Sequence, residues 1–182
     1  MRIVFRSAQA LVVTAIDDAE SSFTDDDLAM VHGFPLEKRR RQWMLSRIAE
    51  KQLRRSGVVG KHVSFSHSGD YGAAAVGNDP IGIDIEALRV LREHAAHLFL
   101  TDEEIRVMER CSIPNRLLHF WCAKEALWKQ LGGAVPTLKR VPLRLQGESA
   151  TGLQFDGVET VFSEVIVAVT AGVWAGFSRP TG

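Results

Sequence analysis

The chain repeats itself at a fixed spacing, and that limits its folds more than any other feature. Laid 77 or 78 residues apart, Thr24-Asp25-Asp26-Asp27-Leu28 faces Thr101-Asp102-Glu103-Glu104-Ile105, and WMLSRIAEKQL at 43–53 faces WCAKEALWKQL at 121–131. Val63-Ser64-Phe65 with Gly69 likewise faces Val141-Pro142-Leu143 with Gly147. Three matches in one order at nearly one offset point to an internal duplication. The expectation is two similar halves, 1–80 and 81–182, related by a pseudo-twofold axis. A cleft would lie between them, where ligand sites favour forming. Arg47 takes the position of Glu125 in this alignment, so one half supplies a cation where the other supplies a carboxylate.

Local patterns give each half the same parts. Strands are predicted over 2–5, 11–16, 63–66, 73–76 and 81–85, from Val/Ile-rich or alternating runs. Thr24 ahead of three aspartates starts a short helix to about His32, and a longer helix over 36–55 ends at Gly57. The second half reads as helices over 91–100, 102–110 (capped by Thr101 with Glu104) and 115–131, then strands over 141–145, 161–170 and 172–177. The fold class is therefore α+β, each half a long helix packed on a small, mostly antiparallel sheet.

At 182 residues with 46% hydrophobic residues, the chain can bury a real core. Zero formal charge argues against a field that grips long nucleic acid. Cys111 and Cys122 form no disulfide framework or metal-ligand spacing, which fits a reducing cytoplasm. The apolar stretch 165–177 is shorter than the roughly 20 residues that cross a bilayer and is broken by Gly172 and Gly176. No membrane span and no signal-peptide pattern is expected.

Chemistry concentrates at Ile81-Gly82-Ile83-Asp84-Ile85-Glu86, where a strand period of two points both carboxylates to one side. Something positive must hold them together: a basic side chain, or a hard divalent ion such as Mg2+. On the helix 36–55, Arg40, Arg47, Lys51 and Arg54 fall within an arc of about 60°, opposite Met44, Leu45, Ile48 and Leu53. That stripe is either a solvated face or an anion site. On the helix 115–131, Lys124 lies in the arc formed by Leu117, Phe120, Trp121, Leu127, Trp128 and Leu131, so its ammonium must snorkel or meet an anion. Glu125 and Lys129, four residues apart, form a helix salt bridge or join Asp84 and Glu86. His67, in Ser66-His67-Ser68-Gly69, is a core or capping histidine, or an anion contact.

Taken together, Ser66-His67-Ser68-Gly69, Gly82-Ile83-Asp84-Ile85-Glu86 and Trp121-x-x-Lys124-Glu125-Ala126-x-x-Lys129 resemble the 4'-phosphopantetheinyl transferases of the surfactin-synthetase-activating type. The likeness covers about residues 38–131, and the family's duplicated α+β fold agrees with the repeat. It implies transfer of the phosphopantetheine arm of coenzyme A to a serine of an apo acyl, peptidyl or aryl carrier protein, releasing adenosine 3',5'-bisphosphate. It further implies Mg2+, with Mn2+ as an alternative, held by Asp84, Glu86 and Glu125. Lys124 and Lys129 would neutralise charge on the phosphoryl oxygens, with Glu125 or a metal-bound water as base. Ser66, His67 and Arg47 would grip the nucleotide phosphates, joined by Arg39 and Arg40 from the basic run 38–41. Where the family carries Gly-[KR]-Pro near adenine, this chain has only Gly60-Lys61-His62, leaving Lys61 as the candidate there. A monomer that binds neither nucleic acid nor membrane is expected. The rival readings are a Mg2+-dependent hydrolase of the coenzyme A pyrophosphate and a noncatalytic coenzyme A binding module.

Overall fold

A computed structural model of the chain describes residues 2–4, 8–13, 23–132 and 134–170. Two antiparallel sheets carry the architecture. The first contains β1 (Arg2–Val4), β2 (Ala8–Val13), β3 (His62–Ser68) and β4 (Tyr71–Gly77) in the order β1-β2-β4-β3. The second contains β5 (Ile83–Ala87), β6 (Leu145–Glu148), β7 (Leu153–Phe155), β8 (Val158–Phe162) and β9 (Val165–Thr170) in the order β5-β9-β8-β7-β6. Four longer helices and one single turn accompany them: α1 (Asp25–Gly33), α2 (Glu37–Arg55), α3 (Ala96–Phe99), α4 (Asp102–Glu109) and α5 (Arg116–Gln130). The α+β expectation is met.

Each sheet has one long helix on its outer face. The apolar side of α2 buries Ala49 and Leu53 against Ala74 and Val76, with Val63 and Phe65 at the margin. The small residues of β4 permit this approach: a Cβ at Gly72 would lie 2.4 Å from that of Leu45. Leu118, Phe120, Ala123 and Leu127 of α5 pack on Leu153, Phe155, Ile166 and Ala168. A Cβ at Gly82, just before β5, would meet the Ala126 carbonyl oxygen at 1.8 Å, so only glycine lets strand and helix touch there. The inner faces meet through Ala10, Ala73 and Ala75 of the first sheet and Ile83, Ile85, Val165, Val167 and Val169 of the second. With Ile83 and Ile85 turned inward, the period of two turns Asp84 and Glu86 toward α5.

Both Thr24 and Thr101 head capping boxes, with Asp27 and Glu104 closing them, as the duplicated Thr-Asp pattern anticipates. The third matched segment behaves differently. Val63-Ser64-Phe65 lies in β3, whereas 141–144 forms no strand. Pro142 has no N–H to give a ladder, the Val141 carbonyl accepts from Lys124, and the Leu143 N–H donates to Glu104. The strand expected over 161–170 is two, β8 and β9, joined by a tight turn in which the Ser163 N–H donates to the Val165 carbonyl at 3.0 Å. In place of a helix over 91–100 stand a 3-10 turn, Glu93–Ala95, and the single turn of α3. The strand expected at 172–177 lies outside the described residues.

Candidate active site

The free edges of the two sheets meet where β3 runs beside β5, and the site grows from that seam. Every second residue of β3 there is a serine. The hydroxyls of Ser64, Ser66 and Ser68 accept the N–H groups of Ile83, Ile85 and Ala87 at 3.1, 3.2 and 3.1 Å. Side chains thus do for β5 what a neighbouring strand would otherwise do. Two of these hydroxyls also donate: Ser66 to Asp84 Oδ1 at 2.8 Å and Ser68 to Glu86 Oε2 at 2.9 Å.

Asp84 is buried, and Lys129 of α5 donates to its Oδ1 and to the Ile83 carbonyl at 2.8 and 2.9 Å. Its Oδ2 is buried without a hydrogen-bond partner. Burial pushes the Asp84 carboxyl above the ordinary carboxylate range despite the lysine and the serine. Glu86 receives Ser68 on one oxygen and Arg89 on the other, the latter at 2.8 Å. The Glu125 carboxyl makes no hydrogen bond or ion pair among the described residues. Its carboxyl is pushed up by burial and then by the charge of Asp84, with Glu86 adding to the rise and Lys129 opposing it. The three acids therefore feel one another's charge.

They do not stand as a finished metal cage. Among the described residues no group of three or more His, Cys, Asp or Glu is assembled at metal-holding distance. The expected convergence of Asp84, Glu86 and Glu125 is thus one of shared charge: Ser66 and Lys129 hold Asp84 Oδ1, and Ser68 and Arg89 hold the two Glu86 oxygens. The donor set nevertheless suits a hard divalent cation: carboxylate oxygens only, one of them buried and unpaired, with mutual repulsion that a cation relieves.

Beside the acids opens a cleft of about 380 Å³ lined by residues from α2, β3, β5 and α5. Asp84 and Lys129 form one side; Arg39, Trp43, Ser46, Arg47, Phe65, Ser66 and His67 form the rest. The Arg47 guanidinium lies 3.9 Å from the Phe65 ring centre and 5.1 Å from that of Trp43. Such stacking helps to hold the cation in place, and its Nη1 also donates to Glu50 at 3.5 Å. Arg39 donates to Nε2 of His67, which requires a neutral ring. Burial, and then the Arg39 charge, lower the His67 pKa in keeping with that. Arg39 is consequently the charged member of the pair, and the Ser66 hydroxyl is committed to Asp84 and Ile85.

Three expected site residues lie elsewhere. Lys124 is fully buried under α5, bonded to both carboxylate oxygens of Glu104 at 2.8 Å and to the Val141 carbonyl. The anion it needs is thus structural, and Glu104 already belongs to the cap of α4. Arg40 turns to the Phe34 carbonyl at 2.7 Å. Lys61 is exposed and does not line the cleft. Conversely, Ser68, Trp43 and Phe65, which the sequence placed only in a motif or in the repeat, stand at the site. The period-two serines at 64, 66 and 68 were the available signal for the first.

Residues 80–164 match the 4'-phosphopantetheinyl transferase superfamily, which bears out the resemblance carried by the motifs and agrees with the α+β fold. The chain is also similar to 4'-phosphopantetheinyl transferase psf-1 of Bacillus pumilus, at 31% identity over 77 residues. That alignment covers 41% of this chain and 33% of the relative's length. No helix among the described residues is long and apolar enough to cross a membrane.

Proposed function

We propose that the protein transfers the 4'-phosphopantetheine group of coenzyme A to a serine of an apo carrier protein, with Mg2+ or Mn2+ bound. The products are the modified carrier and adenosine 3',5'-bisphosphate. The observation that carries this reading is the meeting of a cationic cleft with the acidic seam: Arg39, Arg47 and Lys129 share the cleft with neutral His67 and with Asp84. The cleft draws residues from both halves, 1–80 and 81–182, which supports a site between two duplicated units. Asp84, Glu86 and Glu125 would hold the ion, which when bound supplies positive charge to the pyrophosphate oxygens.

Arg47, kept rigid by its two rings, and Arg39 would bind the nucleotide phosphates. Lys129 would carry the charge that grows on the phosphoryl oxygens as the serine oxygen bonds to phosphorus and the pyrophosphate bridge breaks. The serine proton would pass to Glu125, the one of the three acids whose carboxyl has no hydrogen-bond partner among the described residues. Two free, buried cysteines support a reducing compartment, the cytoplasm, and we take the working unit to be a monomer. The test is incubation with coenzyme A, Mg2+ and a panel of apo carriers, followed by weighing of each carrier. Phosphopantetheine added to at least one is expected; no added mass on any overturns the reading. Free phosphopantetheine released without a carrier would mark a hydrolase instead.

A further inference from the structure

The seam has a regularity that the proposed chemistry does not itself require. Ser66 reaches Asp84 and Ser68 reaches Glu86 at the same sequence offset of 18, while Ser66 and Ser68 accept the N–H of Ile85 and Ala87 at an offset of 19. A hydroxyl has one proton. Once its oxygen accepts the amide, that proton is directed at the carboxylate, and the acceptor oxygen is fixed. β3 therefore indexes the acids of β5 by two-residue steps. The first serine breaks the series: Ser64 accepts the Ile83 N–H, but its offset of 18 falls on Gly82, which has no side chain.

We infer that Ser66 and Ser68 are positioning residues for the cation, pinning Asp84 Oδ1 and Glu86 Oε2 so that the unpaired Asp84 Oδ2 and Glu86 Oε1, the oxygen Arg89 holds, are the ones offered to the ion. The inference rests on the proposed function, since it requires a divalent ion at these acids. Ser64 provides the internal control, because it makes the same bond to β5 and touches no carboxylate.

The measurement is Mn2+ binding to the full chain without coenzyme A, by electron paramagnetic resonance of free Mn2+, beside thermal melting. Ser66→Ala and Ser68→Ala should bind Mn2+ at least 10-fold more weakly than wild type, the usual scale for partners that orient metal ligands. Ser64→Ala should stay within about threefold while losing a comparable amount of melting temperature, and Ser68→Thr, which keeps the hydroxyl, should restore binding. If buried Ser66→Ala does not fold, the half-buried Ser68→Ala and its threonine rescue carry the test. Unchanged affinity in the alanine variants, or an equal loss in Ser64→Ala, overturns the positioning role and leaves the metal site standing. No Mn2+ uptake by wild type overturns both.

Discussion

Replacing Lys124 with methionine should damage stability rather than turnover, the reverse of what its place in the Trp121-x-x-Lys124 motif suggests. Its ammonium is completely buried and holds both oxygens of Glu104 at 2.8 Å, together with the Val141 carbonyl. Breaking a buried ion pair by removing one partner costs about 3–5 kcal/mol, because the other charge is stranded. Glu104 would keep N–H donors from Thr101 and Leu143 at 2.8 and 2.9 Å, which places the cost near the lower end, about 3 kcal/mol. For a chain of this size that corresponds to a melting temperature lower by about 6–12 °C. Adding Glu104→Gln removes the stranded charge and should recover part of the loss, leaving roughly 2 kcal/mol for the unpaired Val141 carbonyl and for the one backbone N–H, of Thr101 or Leu143, that meets the amide NH2 instead of an oxygen. Calorimetry on both variants, with transfer rates measured below the melting transition, reads the two effects separately. A melting temperature within about 2 °C of wild type, together with a tenfold or larger loss of rate, would refute the structural role.

Other expectations follow from the same packing. His119 is buried in the apolar core, donates from Nδ1 to Thr160 at 2.8 Å and leaves Nε2 unpaired, and burial lowers its pKa from 6.5 to about 4. Between those values the unfolded chain binds a proton that the folded chain refuses, so this group's contribution rises with pH across the window, by about 3 kcal/mol, and is level above it. The raised carboxyls of Asp84 and Glu125 slope the opposite way, so the quantity to read is wild type minus His119→Gln in urea melts from pH 4 to 7. A difference that does not change with pH would count against a neutral, buried ring. Gly82→Ala should cost about 3 kcal/mol, since its Cβ would sit 1.8 Å from a helix carbonyl that cannot turn aside; Gly33→Ala, with nothing within 4 Å, is the control in the same melting assay. Glu125→Gln should lower transfer about 100-fold or more while holding or raising the melting temperature, because it removes one of three crowded acids. A drop in both would show that Glu125 supports the fold.

Much was legible before any coordinates because it depends on neighbours in sequence. The capping boxes at Thr24 and Thr101, the two long helices, and the shared side of Asp84 and Glu86 all follow from hydrogen-bond needs and periods within a few residues. The ordered motifs pointed, on the same footing, to the superfamily that residues 80–164 match. The partner of each charge was another matter. Helical periodicity showed that Lys124 had to snorkel or meet an anion, yet only packing decided that it meets Glu104, 20 residues away on α4. Likewise the alternation of Ser64, Ser66 and Ser68 is plain in the sequence, but their hydroxyls gain meaning only when two sheet edges come side by side. Local periods depend on a few successive dihedral angles, whereas the pairing of a buried charge depends on which distant surface closes over it and excludes water.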